Sequence, residues 1–367
     1  MTAALTTFAA GTACIGVTAL ASLYAGQRRL VWIGQLANNA TVADPRELSP
    51  NAEVVRLSEE AVGCYFAPDG DDSAHAPRCH ATTIVYFHGN GDQIGWGGAF
   101  LGPAFARRGV GFFAVEYPGY GLASAADGSS GPSEAGVLAA AEALLAHLEA
   151  RLAARREAKE QAEAWSGVGG GASAPATRHR AAARASMVLV GQSIGCAPAL
   201  EMVNRGWGSG LVLLSPFTSL MAMAGDVLPW LAPALRLLPF LLRDKLDNTA
   251  AAARLPAATP VLVVHGTADE VVPFAQGEQL AEHFRQRLGG GGGGGDGGGG
   301  GGGADAGDKE AARAAASASV TFEPLPGVGH NDLFEGDRFA ELVGRICAFA
   351  AAAVGSKSSH GNGNDFH

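Results

Sequence analysis

Ser186-Met-Val-Leu-Val-Gly-Gln-Ser-Ile-Gly-Cys196 is the stretch on which the reading of this chain turns. Met187 to Val190 is a short apolar run with the composition of a buried strand. It breaks at Gly191-Gln192-Ser193-Ile194-Gly195, and the chain resumes from Cys196 to Val203 as a helix. A G-x-S-x-G between strand and helix is a nucleophile elbow: the tight turn lifts the serine hydroxyl above the sheet edge. The glycines on either side let strand and helix pass where a Cβ would clash. In a chain with 53 glycines the pattern alone carries little weight. The rest of the sequence has to supply what a serine needs to react.

Outward from the elbow, strands alternate with helices. Upstream, Val54 to Leu57 and Ala61 to Phe66 read as a leading antiparallel pair. Thr83 to Phe87 is a buried strand ending in His88-Gly89-Asn90-Gly91, and a helix over Trp96 to Arg108 leads to a strand over Val110 to Val115. The turn Glu116-Tyr-Pro-Gly-Tyr-Gly121 follows. Ser133 then suits a helix N-cap and Glu134 its positive end. Downstream come Gly210 to Ser215, Val261 to Val264 and Val320 to Glu323 as strands, with a closing helix over Phe339 to Ala352. This order predicts an α/β fold with a mostly parallel central sheet of about eight strands and helices on both faces. Residues 50–353 form that domain. A Pro-punctuated apolar segment, residues 220–247, is expected to be a small lid. Residues 155–184 read as a flexible insert that begins as a helical extension and then becomes disordered, 289–319 as a second flexible insert, and 355–367 as a disordered tail.

Function in such a sheet lies at the carboxyl ends of the strands. Ser193, Asp269 and His330 all fall there. A serine hydroxyl needs a base to take its proton, and of ten histidines only His330 lies between the last strand and the last helix. His88 and His265 also end strands, but each is followed by Gly and reads as support for a turn. Asp269 is the acid that orients the imidazole, with its neighbour Glu270 as competitor. The order Ser, Asp, His is that of the α/β-hydrolase fold. An oxyanion hole needs two backbone N–H groups, which position assigns to Ile194, after the nucleophile, and Asn90. Trp230 and Phe240 in the apolar segment are expected to line the substrate pocket, favouring an acyl group.

The partners follow from composition. With 47% hydrophobic residues, a net charge of −9 and no basic patch interleaved with aromatics, nucleic acid is excluded as the expected partner. Five cysteines without a CxxC argue against a disulfide framework and a zinc site. The spacing of His75, Cys79 and His80 fits no standard metal site, so no metal or cofactor is expected. Met1 to Gln27 holds no charged side chain. As a helix its apolar core would span about 35 Å, enough for a ~30 Å hydrocarbon layer. Residues 1–27 are therefore expected to be a single-pass membrane anchor, with a cleaved signal as the alternative. Arg28 and Arg29 after the span favour a cytosolic catalytic domain. The sequon Asn39-Ala40-Thr41 would instead be usable on the lumenal side.

Seven motifs in order fit one family. They are Phe87-His-Gly-Asn-Gly91, Tyr117-Pro-Gly-Tyr-Gly121 with Gly131-Pro-Ser-Glu134, Gly191-Gln-Ser-Ile-Gly195, Ser215-Pro-Phe-Thr-Ser219, Arg243-Asp-Lys-Leu-Asp247, His265-Gly-Thr-Ala-Asp-Glu-Val-Val-Pro273 and Gly329-His-Asn-Asp332. The chain resembles the membrane-anchored α/β-hydrolase-domain-containing proteins of types 13 and 17, the bud-emergence-type hydrolases, from about Ala3 to Ala352 apart from the two inserts. The resemblance implies a serine hydrolase with Ser193, Asp269 and His330 as its triad. Type 17 members act as protein depalmitoylases and carry a Cys-rich N-terminus. Here Cys14 stands alone in that region, so the chain looks closer to type 13, and Pro118 stands where the family usually has Arg. The expected reaction is hydrolysis of an ester or thioester (an acyl lipid, an acyl-thioester or an acylated protein) through an acyl-enzyme. A non-catalytic receptor on the same fold and a serine peptidase are the alternatives.

Overall fold

A computed structural model describes residues 22, 24–33, 43–69, 82–124, 131–165, 174–227, 229, 233, 237, 240, 242–289 and 319–360. Its frame is one eight-stranded sheet: β1 (Glu53–Arg56), β2 (Val62–Phe66), β3 (Thr83–Phe87), β4 (Gly111–Val115), β5 (Met187–Gln192), β6 (Gly210–Leu214), β7 (Val261–Gly266) and β8 (Val320–Leu325). The strand order is β1-β2-β4-β3-β5-β6-β7-β8. β1 and β2 are antiparallel, as is β2 with β4, and every other pairing is parallel. The central strands read as unbroken apolar runs because both faces of a parallel sheet are covered. In β3, β4 and β6 every residue is buried.

Eight helices matter for the site. Residues 24–31 form α1. The others are α2 (Ala99–Ala106), α3 (Glu134–Trp165), α4 (Ala176–Ala185), α5 (Cys196–Asn204), α6 (Leu220–Val227), α7 (Phe274–Gly289) and α8 (Asp337–His360). Side chains alternate across the sheet with period two. Val85, Phe113, Leu189 and Leu211 therefore face one core with Leu144, Leu148, Leu200 and Phe284 of α3, α5 and α7. Ile84, Phe112, Val188 and Val212 face the other, with Leu101 and Phe105 of α2 and Leu342 and Ile346 of α8. At about 25 cal/mol per Å2, these two layers are what hold the strand ends in register at the site.

Two segments differ in part from the sequence reading. Residues 155–184, expected to begin as a helical extension and then to be disordered, are helical over 155–165, continuing α3, and again over 176–184 in α4. Their Ala, Arg and Glu content has high helix propensity, and Arg184 and His179 of α4 bridge to Glu149 and Glu160 of α3. Residues 166–173 lie outside the described residues, as do 290–318 of the second insert. The closing helix runs to His360, well past the expected start of the tail, because Ala351 to Ser359 holds nothing that stops a helix except Gly355. The proposed anchor lies almost wholly outside the described residues, and so does Asn39-Ala40-Thr41. Among the described residues one helical stretch, Asp337–Ser356, is long and apolar enough to cross a membrane by length and composition. In this fold its Leu342, Val343, Ile346 and Ala350 are buried against the sheet.

Candidate active site

β5 ends at Gln192, and Ser193 takes φ +52°, a left-handed conformation that non-glycine residues rarely adopt. Ser193–Gly195 makes one 3-10 turn and α5 begins at Cys196. A Cβ on Gly191 would come within 2.5 Å of the Gly195 carbonyl oxygen, and one on Gly195 within 2.2 Å of the Phe87 carbonyl oxygen. Both obstacles are backbone, so neither position can carry a larger residue without moving the strand. Among the described residues, two other non-glycine residues have positive φ, Ser215 just after β6 and Leu246 beside the site. Strain of this kind clusters where a fold over-determines its backbone.

Ser193 lines a cleft of about 670 Å3 with Gly89, Asn90, Ile194 and His330. Its other walls are largely apolar, including Ile33, Leu101, Phe217, Leu220 and Met223. His330 is 6% exposed. Its Nδ1–H donates to Asp269, 2.8 Å from Oδ2 and 3.0 Å from Oδ1. The acid next door, Glu270, instead accepts the His330 backbone N–H at 3.2 Å. The two carboxylates thus divide the work, one on the ring and one on the main chain. Among the described residues no hydrogen bond joins Ser193 Oγ to His330, and such contacts commonly tighten only around a held substrate.

The Asp269 carboxylate is fully buried yet well supplied with donors. Oδ1 accepts from Val271 N at 3.0 Å and Val272 N at 2.7 Å. Oδ2 lies 3.4 Å from His265 Nε2, which also faces the Val272 carbonyl at 3.0 Å. Burial pushes the Asp269 pKa up, and the bonds from His265, His330 and Val272 outweigh it, holding the carboxyl below the usual carboxylate range. His265, read from sequence as a turn residue, is therefore a second imidazole on this acid.

His88 is also more than turn support. Its Nδ1 lies 2.8 Å from the Gly89 carbonyl and its Nε2 2.9 Å from Glu116 Oε1, and both partners are acceptors. A ring with two acceptors carries two protons, so His88 and Glu116 form a buried ion pair beneath the turn that carries Asn90. Tyr117 stacks on the ring at 4.0 Å, and Tyr120 lies 5.6 Å from it. Burial acts to lower the His88 pKa, while Glu116, Asp92 and the Gly89 carbonyl raise it further, so the net shift is upward. A raised folded-state pKa contributes stability that is complete below the unfolded value of about 6.5 and fades as pH climbs through the folded value. The difference in unfolding free energy between the wild type and Glu116→Gln is expected to be largest near pH 6 and to shrink toward pH 9. Urea unfolding across that range checks it, and a difference independent of pH would contradict the pairing.

Of the residues expected to line the substrate pocket, Trp230 lies outside the described residues. Phe240 is 68% exposed and is not among the described residues that line the cleft. Residues missed from the sequence take that place. Gln192 lines the cleft with its Oε1 accepting the Tyr86 hydroxyl at 2.5 Å. Val31, the last residue of α1, and Ile33, just past it, also line it. Trp32 between them is fully buried, edge-on to Tyr117 and Tyr120. Its indole N–H donates to Asp244, which also accepts two bonds from Arg28 and one from Glu134 N.

Parallel sheet, strained serine after β5, acid after β7 and histidine after β8 define an α/β-hydrolase fold. No protein-family model matches the chain. It is similar to human alpha/beta hydrolase domain-containing protein 17B, at 26% identity over 230 residues, covering 61% of this chain and 65% of that protein. It is similar also to protein 17C of Xenopus tropicalis, at 26% identity over 240 residues, covering 65% and 61%. The chain therefore spans just under two thirds of the length of these curated relatives. Among solved structures it resembles the Pyrococcus furiosus esterase Pf2001, with a TM-score of 0.49, 11% identity and coverage of 85% of this chain and 96% of that one. The esterase Est2 of Thermogutta terrifontis gives 0.47 and 19%, with 85% and 97% covered.

Proposed function

We propose that the chain is a serine hydrolase that cleaves an ester or thioester through an acyl-enzyme. The observation that carries this reading is the buried Asp269–His330 pair, whose imidazole lines one apolar-walled cleft with a serine held at φ +52°. His330 Nε2 takes the Ser193 proton as Oγ attacks the acyl carbonyl, and Asp269 holds Nδ1–H and stabilises the imidazolium. The N–H groups of Asn90 and Ile194 receive the oxyanion. Ile194 stands in the first turn of a helix, where amides have no partner four residues back. Collapse of the intermediate breaks the bond to the alcohol or thiol, which leaves with the proton from His330. Water, deprotonated by His330, then attacks the acyl-Ser193 ester and frees the acid. The apolar walls favour an acyl chain as the bound group.

The uncharged first 27 residues would anchor the enzyme in a membrane, with the catalytic domain on the cytosolic side. Such placement suits an acyl lipid or acylated protein as substrate. A fluorophosphonate probe tests the chemistry. Incubation with the full chain is expected to give one covalent adduct, mapped by peptide mass spectrometry to Ser193, alongside hydrolysis of acyl esters. Folded protein that stays unlabelled at Ser193 would sink the reading, and a preference for peptide amides over esters would move it to the peptidase class.

A further inference from the structure

The Asn90 side chain is gripped at both ends. Its Nδ2–H donates to the Val31 carbonyl at 2.7 Å and its Oδ1 accepts the Tyr120 hydroxyl at 2.6 Å. The residue before it is Gly89, whose backbone has no Cβ to restrict it, so the orientation of the Gly89–Asn90 peptide needs an outside anchor. Val31 ends α1, and its carbonyl is one of those a helix C-terminus leaves without an internal partner. The adjoining residues fix its position. Arg28 Nε and Nη2 each reach Asp244 at 3.1 Å, and Trp32 Nε1 reaches the same carboxylate at 3.1 Å. Asp244 is 2% exposed and accepts Glu134 N as well. The Gln27 side chain accepts from Arg243 N at 2.8 Å, a further tie between α1 and the same segment.

We propose that residues 24–32 position the oxyanion hole: the Val31 carbonyl, clamped through Arg28 and Trp32 to Asp244, fixes the Asn90 side chain and with it the Asn90 N–H. This rests on the assignment of Ser193 as nucleophile and of Asn90 as an oxyanion donor given above. Its consequence is that the segment joining the apolar N-terminus to the hydrolase domain acts in transition-state stabilisation and not solely as a tether. An oxyanion donor works only when preorganised at the site where charge develops, and a displacement of about 1 Å can cost about 100-fold in rate.

The test uses the full chain. Asn90→Leu removes both side-chain bonds, and Trp32→Phe removes the indole donor to Asp244 while keeping a ring between Tyr117 and Tyr120. Both variants are expected to lower kcat by about 10- to 100-fold with KM within about twofold, because the lost interaction belongs to the transition state. The rate constant of fluorophosphonate labelling should fall in parallel. A variant with a thermal midpoint near that of the wild type counts as folded, and if Asn90→Leu does not fold, Trp32→Phe decides alone. Folded variants with wild-type kcat, or with the loss confined to KM, overturn the proposal. Wild-type protein unlabelled at Ser193 would remove the serine-hydrolase reading itself, whereas normal wild-type labelling with unchanged variants removes only this inference.

Discussion

Replacing Ser193 with alanine is expected to lower kcat about a millionfold, as loss of a triad nucleophile does when residues act as a unit. Steady-state hydrolysis of a short acyl ester measures it, and a folded alanine variant within 100-fold of wild type would remove Ser193 from the mechanism. A second variant separates chemistry from strain. At φ +52° any L-residue carries a backbone penalty of about 1–2 kcal/mol. Ser193→Gly should be as inactive as the alanine variant while unfolding at higher denaturant concentration. The elbow would then be storing strain to aim a hydroxyl, and the stability lost to that strain would be recovered only with loss of activity.

Asp269→Asn is expected to cost about four orders of magnitude in kcat, with the fold intact. The structure specifies how the loss would arise. Val271 N and Val272 N both donate to Oδ1, so an amide at this position must keep its oxygen there. Its NH2 then occupies the Oδ2 position, 2.8 Å from His330 Nδ1 and 3.4 Å from His265 Nε2. With the NH2 at the shorter of the two distances, 2.8 Å against 3.0 Å for the oxygen, Nδ1 is expected to accept, the ring proton to move to Nε2, and His330 to lose its capacity to take a proton from Ser193. Nitrogen-15 NMR of the imidazole would show the switched tautomer. A folded asparagine variant that loses less than about 100-fold would mean that Asp269 does not set the tautomer.

Much of this site is legible in the chain because it is local. The elbow announces itself through two glycines and an apolar strand, and backbone atoms 2.2 to 2.5 Å from the missing Cβ positions give the steric reason. Asp269 and His330 stand out in the sequence because a parallel sheet delivers strand ends to one edge. Long-range pairings left no such trace. Glu116 lies 28 residues from His88 and Asp244 lies 212 from Trp32, and nothing in the spacing of either pair marks a contact. The motif Arg243-Asp-Lys-Leu-Asp247 has no physical role that the sequence reveals, and its first aspartate, Asp244, is the acceptor that seats α1. His265 does support the turn after β7, through the Val272 carbonyl, but its contact with Asp269 is not legible in the sequence. A strand-end histidine before glycine suits a turn, and only the fold brings the carboxylate four residues later back to within 3.4 Å.

The Trp32–Asp244 bond also dictates an order of events as the chain is made. At about 5–20 residues per second, the ribosome delivers Asp244 roughly 10–40 s after Trp32, since 212 residues separate them. During that interval α1 has no partner for Arg28 or the indole N–H, and the uncharged stretch before it is free to engage whatever greets a nascent apolar segment. Only once β6 and the segment that bears Asp244 have been synthesised can the first helix make this contact. A helix made within the first tenth of the chain therefore waits for a partner made two thirds of the way along it.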